Sequence, residues 1–217
     1  MDVRLENHFN SLLNRYPELE EIRQDFLKAY LLMEKCFEHD GKLLIAGNGG
    51  SAADSEHIAG ELMKRFKIPR PVSDVFAENL KKIDPVRGAK LADNLEQSLM
   101  AIPLVGHEAL TTAYINDVDG EGIFAQQLFG FGRHGDVFLG ISTSGNSENI
   151  ISAAITAKAL GMNVIGLTGI DGGELAHKAD VCVKAPEKET YMIQELHLPI
   201  YHCWCLMLEN RFFGKHG

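Results

Sequence analysis

The sequence predicts an α/β fold, a doubly wound and mostly parallel sheet flanked by helices, and two observations carry that prediction. A short apolar strand, a Gly/Ser-rich turn and a helix recur in that order from Leu43, from Asp136 and from Asn163. Alternation of this kind builds parallel sheets with helices on both faces. The strand segments are near-continuous apolar runs, the pattern of strands covered on both sides. Nothing in the 217 residues forces a split, so 1–217 is expected as one domain, with N-terminal helices over 1–40 and a helical insertion over 67–97.

Taken in order, residues 3–39 read as helical with a break near Tyr16-Pro17. In the second piece Ile22, Phe26, Tyr30, Leu31, Met33 and Phe37 recur at helical spacing. So wide an apolar face ahead of the first strand needs a partner, and a second copy of the chain is the simplest one. Residues 43–46 form the first strand. Gly47-Asn48-Gly49-Gly50 is a turn in which positive φ and close backbone approach meet no Cβ. Ser51 is the expected N-cap of a helix over 52–64. The segment 67–97, with helical stretches at 76–82 and 88–95, reads either as a surface insertion or as a lid. A second strand is expected over 98–105, a helix over 107–114, a polar turn at Ile115-Asn116-Asp117 and a helix over 122–131. Strands at 136–141, 163–168 and 181–184 follow, with a helix over 148–160 and a long apolar helix over 190–213 closing the chain.

Ligands of such sheets bind beyond the carboxyl ends of the strands. The turn at Asn48, Gly49, Gly50 and Ser51 joins a strand to a helix N-terminus, where free N–H groups and the helix dipole favour an anion. Ser142-Thr143-Ser144-Gly145-Asn146-Ser147 places four hydroxyls before another helix start, which suits phosphate without a lysine. A capping loop alone has the same composition, but a second such turn at the same sheet edge favours phosphate. Beyond the first turn, His57 and Glu61 lie four residues apart, about 40° around a helix, as an acid/base or metal-binding pair or as a solvated surface pair. The last helix carries Gln194, His197 and His202, the last among Ile200, Cys203, Trp204 and Leu206. An imidazole there is either functional or a core histidine satisfied by a backbone carbonyl.

A net charge of −9 argues against broad binding to a nucleic-acid backbone. Cys36, Cys182, Cys203 and Cys205 lack paired metal spacing and read as free thiols of a reducing compartment. Residues 1–6 show no apolar signal region, and no apolar run approaches the roughly 20 residues that span a bilayer. The expectation is a cytoplasmic protein with neither membrane nor nucleic-acid partner.

Together these segments resemble the sugar isomerase (SIS) domain family, and within it the phosphoheptose isomerase subgroup. The resemblance rests on Gly47-Asn-Gly-Gly-Ser51 with His57 and Glu61, Asn116-Asp117, Gly140-Ile-Ser-Thr-Ser-Gly-Asn-Ser147, Leu167-Thr-Gly-Ile-Asp-Gly-Gly173, and Ile193-Gln-Glu-Leu-His197 with His202. It implies an SIS-type fold and an aldose–ketose isomerase that converts sedoheptulose 7-phosphate to D-glycero-D-manno-heptose 7-phosphate for activated-heptose and surface-polysaccharide synthesis. Glu61 and His202 match the catalytic pair. Asn48, Gly49, Gly50, Ser51, Arg65, Asn116, Asp117, Ser142, Thr143, Ser144, Ser147 and Gln194 match substrate-side positions. His57, Glu61, Gln194 and His202 match a zinc site, one ion per subunit, with no organic cofactor. Gln194 and His202 are about 12 Å apart along a continuous helix, so they meet at one ion only if Gln194 precedes regular helix or the helix is distorted, as Pro199 would allow. His197, with a direction similar to that of Gln194, is an alternative donor that the resemblance does not favour. The resemblance also implies a homotetramer. A non-catalytic member that associates with a replication initiator lacks the equivalents of Glu61 and His202. Both are present here, which favours an enzyme over a sugar-phosphate-binding or protein-binding module; an isomerase of another sugar phosphate is the remaining alternative.

Overall fold

The computed structural model describes residues 3–214. Its centre is a five-stranded, all-parallel sheet in the order β2-β1-β3-β4-β5. The strands are β1 (Leu43–Gly47), β2 (Ala101–Pro103), β3 (Val137–Ile141), β4 (Asn163–Thr168) and β5 (Val181–Lys184). Every residue of β1 and β3 is buried, as their unbroken apolar runs require.

The period-2 pleat sorts the strand residues into two cores. Leu43, Ile45, Leu139, Ile165 and Val183 face one layer, built from α1 (Val3–Arg15), α2 (Arg23–Glu38), α3 (Gly50–Met63) and α10 (Thr190–Phe213). Leu44, Ala46, Phe138 and Val164 face the other, where α7 (Ile123–Phe131), α8 (Glu148–Ala159) and α9 (Leu175–Lys178) pack. Ala153, Ala154 and Ala157 form the small-residue side of α8 that lets it lie close to the sheet.

The strands and helices expected around Leu43, Asp136, Asn163 and Val181 are present, and the last helix has the predicted bounds. Four local expectations change. The second strand shrinks to Ala101–Pro103, because a 3-10 turn (Leu104–Gly106) takes over where Pro103 ends the ladder. Asn116 and Asp117 are not a turn but the last residues of α6 (Glu108–Asp117). The α3 helix starts at Gly50 rather than after Ser51. The apolar face of α2 is not left for a second copy: Ile22, Phe26, Tyr30, Met33 and Phe37 are buried within this chain, and of the six residues only Leu31 is exposed, at 52%. Phe26 lies 4.5 Å from the Phe9 ring and 5.4 Å from the Trp204 ring, so α2 packs between α1 and α10.

The 67–97 segment folds as a hairpin of α4 (Asp74–Ile83) and α5 (Pro85–Asn94). Asp84 caps α5 by accepting from Val86 and Arg87 N–H, with Pro85 at the first helical position. Of the two helices only Gly88 is buried. The cysteines carry free thiols; burial raises Cys36 and Cys203 to about 12. No helix among the described residues is long and apolar enough to cross a membrane.

Candidate active site

The chain runs from β1 outward to β2 and then returns to the other side of β1 to form β3. That reversal opens a crevice at the carboxyl ends of β1 and β3, the place where parallel sheets receive ligands. Both Gly/Ser turns end there.

In the first turn Gly49 has φ +56°, which an L side chain adopts only with strain. A Cβ at Gly50 would lie 2.7 Å from the Gln194 amide, so glycine lets α10 approach the start of α3. Gly49 occupies the cap position, and the predicted cap Ser51 is buried in the first helical turn with its N–H on Asn48 O. In the second turn the Ser142 and Ser147 hydroxyls are 3.0 Å apart, and Ser144 Oγ accepts from Asn146 N–H. The Ser147, Glu148 and Asn149 N–H groups have no hydrogen-bond partner among the described residues. Three such donors at a helix start beside serine hydroxyls are the kind of arrangement that favours an anion. Thr143 and Ser144 also line a cavity of about 200 Å3 shared with Asp171 and Lys188. The two turns are tied by a reciprocal amide pair, Asn48 with Asn149, both bonds 2.9 Å. Asn149 was not singled out from sequence, although it adjoins the Ser-rich turn.

Two helical turns further along α3, side chains from α3 and α10 meet. His57 Nε2 is 3.3 Å from Glu61 Oε1 and 3.3 Å from His202 Nε2. Behind it, His57 Nδ1 is 3.0 Å from Tyr201 OH, and Tyr201 donates to Asp54 Oδ1 at 3.1 Å. A phenol has one proton, which goes to the carboxylate, so the shared His57 Nδ1 must be the donor to Tyr201 oxygen. In the neutral ring that leaves the Nε2 lone pair facing Glu61 and His202. Asp54 Oδ2 is buried with no partner among the described residues, and burial raises the Asp54 pKa. Burial, with His57 alongside, lowers the His202 pKa and favours its neutral form. Asp54 and Tyr201 are absent from the sequence reading. Their only signals are the spacing of Asp54 one turn before His57 and the adjacency of Tyr201 to His202.

The buried histidine of α10 is His197, not His202: its Nε2–H donates to the Thr168 carbonyl at 3.1 Å. The core-histidine alternative therefore applies to His197, which leaves it no role as a replacement donor for Gln194.

Zinc at tetrahedral sites with 2.0–2.1 Å bonds separates its ligand atoms by about 3.3 Å. Both His57 contacts have that length, and a lone pair facing a carboxylate calls for a cation or proton between them. As the side chains stand, no complete group of three His, Cys, Asp or Glu donors among the described residues would hold a metal ion. His57, Glu61 and His202 are donor types that zinc accepts, and two of their separations have the required length, but the three do not form a ready-made set and Gln194 does not join them in this chain. The α10 helix continues through Pro199, and Gln194 stays at Gly50, beside the other end of α3.

Three further residues lie apart. Arg65 stands beyond the end of α3, half in solvent, with Nε 3.2 Å from Glu96. Asn116 and Asp117 are exposed and bond each other at 2.8 Å, with no hydrogen bond to the rest of the site among the described residues.

The SIS domain family matches residues 7–98 and 95–169. A phosphoheptose isomerase of Aneurinibacillus thermoaerophilus is 40% identical over 216 residues, spanning 98% of this chain and 96% of the relative. Phosphoheptose isomerase GmhA from Neisseria gonorrhoeae has the same fold with TM-score 0.72 at 33% identity, covering 94% of this chain and 97% of that one. A phosphoheptose isomerase from Francisella tularensis gives TM-score 0.74 at 30% identity, covering 95% and 97%.

Proposed function

Because the chain belongs to the SIS domain family, in its phosphoheptose isomerase branch, we propose that it interconverts sedoheptulose 7-phosphate and an aldoheptose 7-phosphate, D-glycero-D-manno-heptose 7-phosphate. The observation that carries this reading is the convergence of Glu61 and His202, from two different helices, on His57 beyond the phosphate-binding turns. The N–H groups and hydroxyls of 142–149 hold the phosphate, and the first turn with Asn48, Gly49, Gly50, Ser51 and Gln194 lines the sugar.

In the proposed chemistry the Glu61 carboxylate takes the C1 proton of the open-chain ketose. The C–H pair becomes the C1–C2 double bond, and the carbonyl pair moves to O2, which takes a proton from His202. His202 then removes the O1 proton, C1 becomes the aldehyde, and Glu61 returns its proton to C2. Tyr201 and Asp54 keep the His57 ring oriented behind this pair. A zinc ion held by His57, Glu61 and His202, when bound, would supply Lewis-acid stabilisation of the enediolate charge. Gln194 as a fourth ligand requires a donor arrangement other than that of this single chain.

The whole chain acts as one SIS domain in this reading, in the cytoplasm and as a homotetramer. Support for assembly comes from the α4–α5 hairpin, which exposes Val75, Ile83 and Val86 while burying almost nothing of its own. Arg65, Asn116 and Asp117 then serve sites completed between copies. Light scattering on the purified protein measures the assembly directly.

Turnover of sedoheptulose 7-phosphate followed by NMR, with and without zinc, tests the activity. An aldoheptose phosphate should form, and Glu61→Gln and His202→Ala should each reduce kcat by roughly 10²–10⁴-fold. Full activity in Glu61→Gln would sink the assignment.

A further inference from the structure

Below the proposed site lies an ion pair taken entirely out of water: Arg70 Nη2 and Glu209 Oε1 are 2.9 Å apart, with side chains 0% and 1% exposed. Neither residue belongs to the site described above. Glu209 accepts Phe66 N–H at 2.7 Å, Lys67 N–H at 2.8 Å and Arg70 Nε–H at 3.1 Å. Arg70 donates from Nη1 to Leu62 O at 2.7 Å and from Nη2 to Glu61 O at 3.2 Å, and its guanidinium stacks 4.5 Å above the Phe213 ring.

The two carbonyls that Arg70 holds belong to the last turn of α3. A helix end has four carbonyls without intrahelical partners, commonly satisfied by a glycine motif. Here the helix runs into Lys64 with extended backbone, and no cap N–H bond is made. Leu62 O also accepts Leu99 N–H at 3.0 Å, so Arg70 adds a second donor there, supplies one to Glu61 O, and brings a positive charge where the helix dipole is negative. One of those carbonyls is that of Glu61 itself. On the other side, Glu209 lies on α10 seven residues, two helical turns, beyond His202, so the two share a face. The α3 and α10 helices are therefore joined twice: through His57 and His202 at the site, and beneath it through Arg70, which lies beyond α3 and binds both the α3 carbonyls and Glu209 of α10.

We propose that Arg70 and Glu209 are positioning residues for Glu61, fixing the end of α3 against α10 so that the carboxylate stays in register with His202. This rests on the reading of Glu61 as the base. A buried ion pair contributes little net stability compared with apolar side chains of equal volume. Its consequence here is geometric, since four of the five guanidinium donors are used and each fixes a direction.

Full-length Arg70→Lys, which keeps the charge and loses the fork, is compared with the double variant Arg70→Met/Glu209→Leu, which removes both charges. Kinetics are measured with sedoheptulose 7-phosphate at a temperature where circular dichroism shows the variant folded. The expected result is a kcat at least tenfold below that of the unsubstituted protein with KM within twofold, and Arg70→Lys alone decides if the double variant does not fold. Combined with Glu61→Gln, Arg70→Lys should cause no further loss, because it acts through a base already removed. A folded variant with unchanged kcat, a change confined to KM, or losses that multiply in the Glu61→Gln background would overturn the proposal. Failure of the underlying reading is separate: the unsubstituted protein would then lack turnover, or Glu61→Gln would retain it, and the proposal falls with it.

Discussion

At His57 the placement of one proton governs what the imidazole offers. Nδ1–H is committed to Tyr201, whose own proton is committed to Asp54, and the remaining lone pair faces Glu61 and His202. Tyr201→Phe breaks both bonds and leaves the buried Asp54 carboxyl without a donor. We expect about 1–3 kcal/mol of lost stability by urea denaturation and roughly a tenfold lower kcat. His197 gives a pH test away from the site. Burial lowers its pKa to about 4, while the unfolded chain titrates near 6.5. Above 6.5 both states are neutral and stability is full. Between 6.5 and 4 the unfolded state binds the extra proton, so stability falls with pH, by about 3 kcal/mol in total. Denaturation midpoints at pH 7 and pH 4.5 should diverge in the natural chain and diverge less in His197→Gln.

At the scale of elements, the Ser-rich turn depends on its neighbour. Gly145 has φ +68°, and a Cβ there would stand 2.0 Å from the Gly172 carbonyl of the loop after β4. The two loops are further joined by Glu174 N–H on Asn146 Oδ1 at 2.9 Å. Gly145→Ala should therefore cost about 1–3 kcal/mol and raise KM for the sugar phosphate about tenfold, since the cradle moves with the loop. Unchanged KM in a folded Gly145→Ala protein would show that the loop contact does not shape the cradle. The serines of this turn were readable because hydroxyls before a helix have a local signature. The glycine-rich loop after β4 was also marked in the sequence, but its contact with this turn was not, because that contact depends on the order of strands in the sheet.

Across the whole molecule, the N-terminal helices are part of the core rather than a free interface. Phe26 is fully buried between Phe9 and Trp204, and the Trp204 indole N–H donates to the Phe26 carbonyl at 3.1 Å. Phe26→Ala should cost about 3–5 kcal/mol in urea denaturation. A cost below 1 kcal/mol would mean that these helices fold apart from the sheet. An apolar helix face announces only that something covers it, and α2 is covered by the sheet and by α10, some 178 residues further along the chain.

Periodicity, turn residues and helix starts are local properties, so the sequence by itself determined the parallel α/β sheet, the positions of four of its five strands and the two Gly/Ser turns at its edge. It also brought out His57, Glu61 and His202 as candidates, through helical spacing and a histidine in an apolar helix. Only the tertiary structure decided that His197 is the core histidine, that Gln194 stands away from His202, and that Asp54, Tyr201, Arg70 and Glu209 surround the proposed pair. Those relations join residues up to 147 positions apart through the packing of α3 against α10. A hydrogen bond across two helices depends on their rotation and separation, and no spacing within either helix encodes those.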